Sequence, residues 1–152
     1  MKILDNLKAE AIIADLRATD KKGVLQELTT VLAEISEVSQ EEMVRVLLER
    51  ERLGSTGIGG GIAIPHGKMK SLSSLLMGFG RSREGVDFDA MDGEAVFLFF
   101  LLVAPEDSAS IHLKALAKIA KIIKSRSFRN VLMQVPTREE IYQAIIQNDE
   151  QL

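Results

Sequence analysis

Apolar residues follow two rhythms along this chain, and the change from one to the other marks its elements. Ile12, Ala14 and Leu16 fall on alternating positions and predict a first strand. Val24, Leu25, Leu28, Val31, Leu32 and Ile35 then recur at helical spacing, predicting a helix from Lys21 to about Glu37. Ser39 with Glu42 forms a capping box for a second helix, which carries Met43, Val46, Leu47 and Arg50 and stops at Gly54. Ile62 to Ile64 reads as a short strand ended by Pro65. "LLMGFGRS" and "AVFLFFLLVA" read as two more strands, with "MDG" a turn between them. After Pro105 a helix is expected with Ile111, Ala115, Leu116, Ile119 and Ile123 on its buried side. Lys114, Lys118, Lys121 and Lys124 cover its other faces and read as a solvated surface. Ser127 is expected to open a short helix through Gln134, and Thr137 with Glu140 to cap a final helix reaching about Gln147. The order β–α–α–β–β–β–α–α–α implies the α/β class: a single domain over residues 1–152 with a central mixed β-sheet flanked by α-helices.

Composition narrows the class of function. The chain has 152 residues, 46% hydrophobic and 27% charged, in the range of an ordinary globular domain. Its formal net charge of −3 gives no sign of a nucleic-acid partner or an anionic membrane. No cysteine is present, so disulfides and thiolate metal sites are excluded. The start, "MKILDNLKAEAIIADL", carries charge throughout and lacks a signal-peptide core. The most apolar run, Ala95 to Ala104, is about half the length needed to cross a bilayer and fits a buried strand. A cytoplasmic domain without membrane insertion is the expectation.

The chemistry concentrates in "GSTGIGGGIAIPHGK", Gly54 to Lys68. It is not a Walker A loop: five residues separate Gly61 from Gly67, and Met69 stands where a magnesium-holding hydroxyl would be. It is not a dinucleotide fingerprint, because the third glycine position falls on Ile62 or Ile64. The two histidines are not spaced as metal ligands, and there is no "GxSxG" nucleophile elbow. No metal or cofactor is implied. What remains is His66. Pro65 stiffens its approach, and Gly67 leaves room for the chain to turn away. Gly57 and Gly59 to Gly61 offer amides to an anion, and Ser55 and Thr56 offer hydroxyls. A neutral imidazole has a lone pair competent to attack phosphorus. A histidine buried in a tight turn is the plain alternative.

His112 is the second histidine, near the start of a helix opened by Ser108 or Ser110. If that helix end faces the loop, His112 could hydrogen-bond an anion held on His66, or offset its charge when protonated. Arg50 could supply a permanent cation, with Arg52 an equal candidate from spacing alone.

"RERLGSTGIGGGIAIPHGK", followed by "HL" at a helix start, resembles the enzyme IIA domain of the bacterial phosphoenolpyruvate-dependent phosphotransferase system. The branch is the fructose/mannitol type, which includes nitrogen-regulatory IIA proteins, and the resemblance covers essentially the whole chain. It implies a phosphocarrier whose His66 accepts phosphate, at Nε2, from phosphorylated HPr or its nitrogen-branch homologue. The family's active-site arginine falls on Arg50 and its second histidine on His112. Many relatives carry Asn where this chain has Gly60. The phosphate is implied either to pass to a IIB cysteine in sugar transport or to act as a regulatory mark that changes binding to target proteins. A loop-mediated binding module without catalysis is the third possibility. Met69, Leu72 and Leu75, beyond the loop, are candidates for a docking patch.

Overall fold

The computed structural model describes residues 6–150, so the outermost residues of the expected 1–152 domain lie outside it. Among the described residues a mixed sheet of six strands carries five helices. The strands are β1 (Leu7–Ile13), β2 (Gly57–Gly59), β3 (Ile62–Ala63), β4 (His66–Met69), β5 (Leu76–Val86) and β6 (Val96–Pro105). The helices are α1 (Lys21–Ser36), α2 (Gln40–Arg52), α3 (Ala109–Ile122), α4 (Arg126–Gln134) and α5 (Arg138–Glu150). The sheet order is β1-β5-β6-β3-β2, with β4 also paired to β6. No helix among the described residues is long and apolar enough to cross a membrane.

The centre is the antiparallel pair β5–β6, in which Phe79 faces Phe100 with ring centroids 4.9 Å apart. Every residue of β6 except Phe97 is buried, because helices cover both faces of the sheet. The two faces are legible in β5. A Cβ at Gly80 would come within 2.9 Å of Leu28, so α1 packs directly onto bare backbone there. The alternate residue, Arg81, points the other way and donates to the Leu132 and Val135 carbonyls at the end of α4. Helices α3, α4 and α5 form that second layer, tied by a Lys118–Asp149 ion pair of 3.3 Å.

Several expectations are corrected in detail. The first strand lies earlier, at Leu7–Ile13, and runs parallel to β5. Ala11 and Ile12 are both buried because β1 is covered on both faces by α1 and α5, so alternation was the wrong signature for it. Leu16 lies past the strand, its N–H taken by the Arg81 carbonyl. The inward stripe of α3 is His112, Ala115, Ile119 and Ile122; Ile111 is 42% exposed. Ser125, not Ser127, caps α4 by accepting from the Phe128 N–H. Ser39 and Thr137 cap α2 and α5 as expected, accepting from the N–H groups of Glu42 and Glu140.

The glycine-rich stretch is a β-hairpin, which adds a strand the pattern did not indicate. β2 and β3 pair antiparallel around a tip where Gly60 and Gly61 take φ of +67° and +81°. β3 then pairs parallel to β6. Pro65 has no N–H to give and interrupts the pairing, though its carbonyl accepts from Leu102. The chain rejoins β6 as β4, with His66 opposite Leu102.

Candidate functional site

His66 is set by a strand held at both ends, not by a free loop. β4 lies along the C-terminal half of β6, and α2 presses on it. Gly67 has a different task from the turn expected of it. A Cβ there would stand 2.5 Å from Cγ1 of Val46, so the glycine admits α2 against the strand.

The imidazole of His66 is half-buried, with Nδ1 2.7 Å from the Ile64 carbonyl oxygen. A carbonyl only accepts, so Nδ1 carries the proton and Nε2 keeps a free lone pair. Burial lowers the pKa of His66, the Ile64 hydrogen bond offsets part of that, and the nearby charge of Arg50 lowers it further; Glu51 opposes weakly. The ring is neutral at neutral pH.

His112 arrives from the other helical layer. Its place in the inward stripe of α3 buries it to 5% exposure, with ring centroid 5.4 Å from that of His66 and planes at 80°. Burial, then the neighbouring His66 and Lys68, pull its pKa down to about 4. The cationic role expected for His112 is therefore closed at neutral pH in the resting site. Its Nδ1 is buried without a protein partner, so the ring keeps unused hydrogen-bonding capacity beside His66.

The two arginines separate cleanly. Arg52 is 74% exposed on its side chain and pairs with Glu49 at 2.8 Å. Arg50 donates from Nη1 to the Gly54 carbonyl at 2.8 Å, which holds the guanidinium over the cleft. Arg50, Leu53, His66, Gly67, Lys68 and His112, with Val46 and Glu49, line an open cleft of about 440 Å³. The structure thus brings together His66, His112, Arg50 and Gly67.

It does not bring Ser55, Thr56 and Gly57 into that lining. Ser55 Oγ donates to the Phe88 carbonyl at 2.7 Å and accepts from the Gly57 N–H. Thr56 gives both its N–H and its hydroxyl to Glu51. At the hairpin tip the Gly60 N–H goes to the Asp92 carboxylate. These donors shape the loop from within. The docking patch expected at Met69, Leu72 and Leu75 is not exposed. Met69, Leu72 and Leu75 are 1%, 9% and 5% exposed and belong to the core. Among the large apolar residues that are exposed, Leu53 at 85% lines the cleft, and Ile111 and Leu113, next to His112 in sequence, stand at 42% and 66%.

Glu51 is the residue that sequence reading missed. It is buried, holds Thr56 by two hydrogen bonds and pairs with Lys21 at 3.1 Å. Its own carbonyl accepts the Gly54 N–H. Glu51 thereby fixes the segment whose Gly54 carbonyl holds Arg50. The signal was present: Met43, Leu47 and Glu51 fall at i, i+4 and i+8 on the buried stripe of α2. Among the described residues no group of three His, Cys, Asp or Glu side chains is placed to hold a metal ion.

The sequence matches a family described as "Phosphoenolpyruvate-dependent sugar phosphotransferase system, EIIA 2" over residues 5–148. A nitrogen regulatory protein of Bradyrhizobium diazoefficiens is 40% identical over 145 residues, 95% of each chain. The crystal structure of nitrogen regulatory protein IIA-Ntr from Neisseria meningitidis superposes with a TM-score of 0.87 at 37% identity, covering 93% of this chain and 97% of that one. The fructose-specific EIIABC component of Bacillus subtilis is 33% identical over 98% of this chain and 24% of its own length.

Proposed function

The chain belongs to the EIIA type 2 family of the phosphoenolpyruvate-dependent phosphotransferase system, and from that we propose that it is a phosphocarrier whose His66 Nε2 accepts a phosphoryl group from a phosphorylated HPr-like protein. The observation that carries this reading is the tautomer. The Ile64 carbonyl holds the proton on Nδ1, which leaves Nε2 as the nucleophile in a ring that lines an open cleft.

The transfer needs no proton movement on this side. The Nε2 lone pair forms the new N–P bond as the bond between phosphorus and the donor atom breaks, its electron pair staying with the donor. Positive charge grows on the ring, and the Ile64 carbonyl stabilises it through the Nδ1–H bond. In a loose transition state charge spreads over the equatorial oxygens, so fixed donors matter more than a strong base. Arg50 supplies a cation and His112 an N–H at that place. Leu53, exposed at the cleft, and the exposed Ile111 and Leu113, next to His112 in sequence, offer apolar contact to the docking carrier.

The resemblance to nitrogen regulatory proteins over nearly full length supports a regulatory role in the cytoplasm. The phosphoryl group adds a charge of about −2 at the cleft and changes which target proteins bind there. A second reading, delivery of the phosphoryl group to a IIB cysteine, is favoured by the similarity to the fructose-specific EIIABC component. Incubation with phosphoenolpyruvate, enzyme I and each candidate carrier tests the proposal. The expected product is one acid-labile phosphoryl adduct by intact mass, absent from His66→Ala. Labelling of His66→Ala refutes the acceptor, and rapid discharge onto an added IIB domain selects the second reading.

A further inference from the structure

Charge is segregated along this chain in a way the phosphoryl site does not use. Between Asp107 and Arg138 there are six basic residues and no acidic one. With the whole chain at −3, those six positive charges leave −9 on the rest. Lys118 is neutralised by Asp149, but Lys114, Lys121, Lys124, Arg126 and Arg129 have no carboxylate within ion-pair distance among the described residues. This basic segment ends at a concavity of about 320 Å³ on the far side of the hairpin tip.

The concavity has the parts of a recognition site. Arg129 is half-buried, and its Nη1 is fixed by the Ile123 carbonyl, so its guanidinium is held in place with the rest of its fork unspent. Arg126 and Asn130 stand exposed beside it, and Lys124 is two residues away from Arg126. Phe97 and Met133 supply an apolar wall. Gly60 forms part of the rim, where its N–H holds the Asp92 carboxylate and a Cβ would meet nothing within 4 Å, so an acidic ligand is drawn to Arg126 and Arg129 rather than to the hairpin tip. The site is separate from the cleft. It meets β6 at Phe97 and Leu98, whereas His66 meets it at Leu102, roughly 13 Å further along the strand.

We infer that this concavity is a second docking site, which takes an acidic protein segment: a carboxylate on the Arg126–Arg129 pair with a neighbouring apolar side chain against Phe97 and Met133. Charge complementarity selects the occupant. A nucleic acid carries charge without an apolar side chain, and the −9 on the remaining surface repels an extended polyanion. A partner seated here leaves the His66 cleft free, so a phosphocarrier can visit while the partner stays bound.

The test uses the full chain and a fluorescently labelled Glu/Leu peptide, with the matching Gln/Leu peptide as control. Anisotropy titration is expected to show saturable, salt-sensitive binding of the Glu/Leu peptide alone. Arg126→Glu with Asn130→Glu, both at exposed positions, should weaken it by about tenfold or more. NMR shift changes should cluster at Gly60, Gly61, Arg126 and Arg129, away from Arg50 and Leu53. Phosphorylation of the variant at His66 should proceed at the native rate. No binding, equal binding of both peptides, an unaffected variant, or shifts centred on the cleft overturns the proposal. Tighter binding of duplex DNA or RNA to the same residues overturns it in favour of a nucleic-acid site.

Discussion

At the scale of single residues, burial keeps two neighbouring imidazoles neutral, and the Ile64 carbonyl leaves the lone pair of His66 on Nε2. His66 was singled out from the sequence because proline and glycine flank it, Arg50 and His112 through the resemblance, and the three line one cleft. What stayed hidden was ionisation, which depends on burial that no motif displays. That burial has a measurable cost. The folded-state pKa of His112 lies below the ordinary value of 6.5, at about 4, so its contribution is fully present above pH 6.5. As pH falls from 6.5 towards 4 the unfolded chain takes up a proton that the native ring refuses, and stability declines by about 3 kcal/mol. Urea unfolding across this range should show the loss, and His112→Gln should flatten it. His66 is depressed in the same direction, so its acceptor rate should rise with pH in the acid range and level off before 6.5 is reached. A rate that instead falls as the pH is raised towards 6.5 would contradict a neutral nucleophile.

At the scale of elements, packing gave residues tasks different from those their types suggest. Glycine near a histidine looks like a phosphate cradle, yet the hairpin uses its amides within the fold, and Gly67 serves the approach of α2. Such roles were invisible because they come from a partner element distant in sequence. Gly67→Ala should cost about 1 to 3 kcal/mol through overlap with Val46, measurable as a drop in melting temperature. Adding Val46→Ala should recover part of it, and a double variant as unstable as the sum of its parts would show that this contact is not the cause. Glu51 is legible in hindsight, since it occupies a core position of α2 with a charged side chain. Glu51→Ala leaves the buried Thr56 unmatched and Lys21 with Asp89 alone, and should destabilise by about 1 to 3 kcal/mol. Transfer to His66 should also slow at temperatures where the variant is folded, because the Gly54 carbonyl no longer holds Arg50 in place. Native transfer rates in folded Glu51→Ala would separate the two. Strand β1 and the stripe of α3 were misplaced for a related reason: a strand covered on both faces does not alternate, and a histidine was not counted among inward residues.

At the scale of the whole molecule, the cleft that holds His66 sits where the two helical layers meet at one end of β6. Leu53 is exposed at it while Leu72 belongs to the core, so substitutions should sort by side. Leu53→Asp with Leu113→Asp should raise the KM for the phosphorylated carrier several-fold with little change in melting temperature. Leu72→Asp should instead prevent stable folding, because that residue is 9% exposed. The reverse pattern would move the docking face. The α/β class with a mixed sheet was legible, since apolar runs and capping boxes mark most of the boundaries, but the short strands β2 and β4 were not, because their pairing comes from β6 and from the hairpin rather than from an apolar pattern. One consequence of the arrangement concerns the modified protein. Arg50 rides on α2 and His112 on α3, which lie against different strands and approach His66 from different layers. A dianion seated between them acts as a clasp across the seam. The phosphorylated chain should accordingly exchange its amide hydrogens more slowly in the last turn of α2 and the first turn of α3, and a regulatory target able to feel that stiffening would sense the covalent mark without touching it.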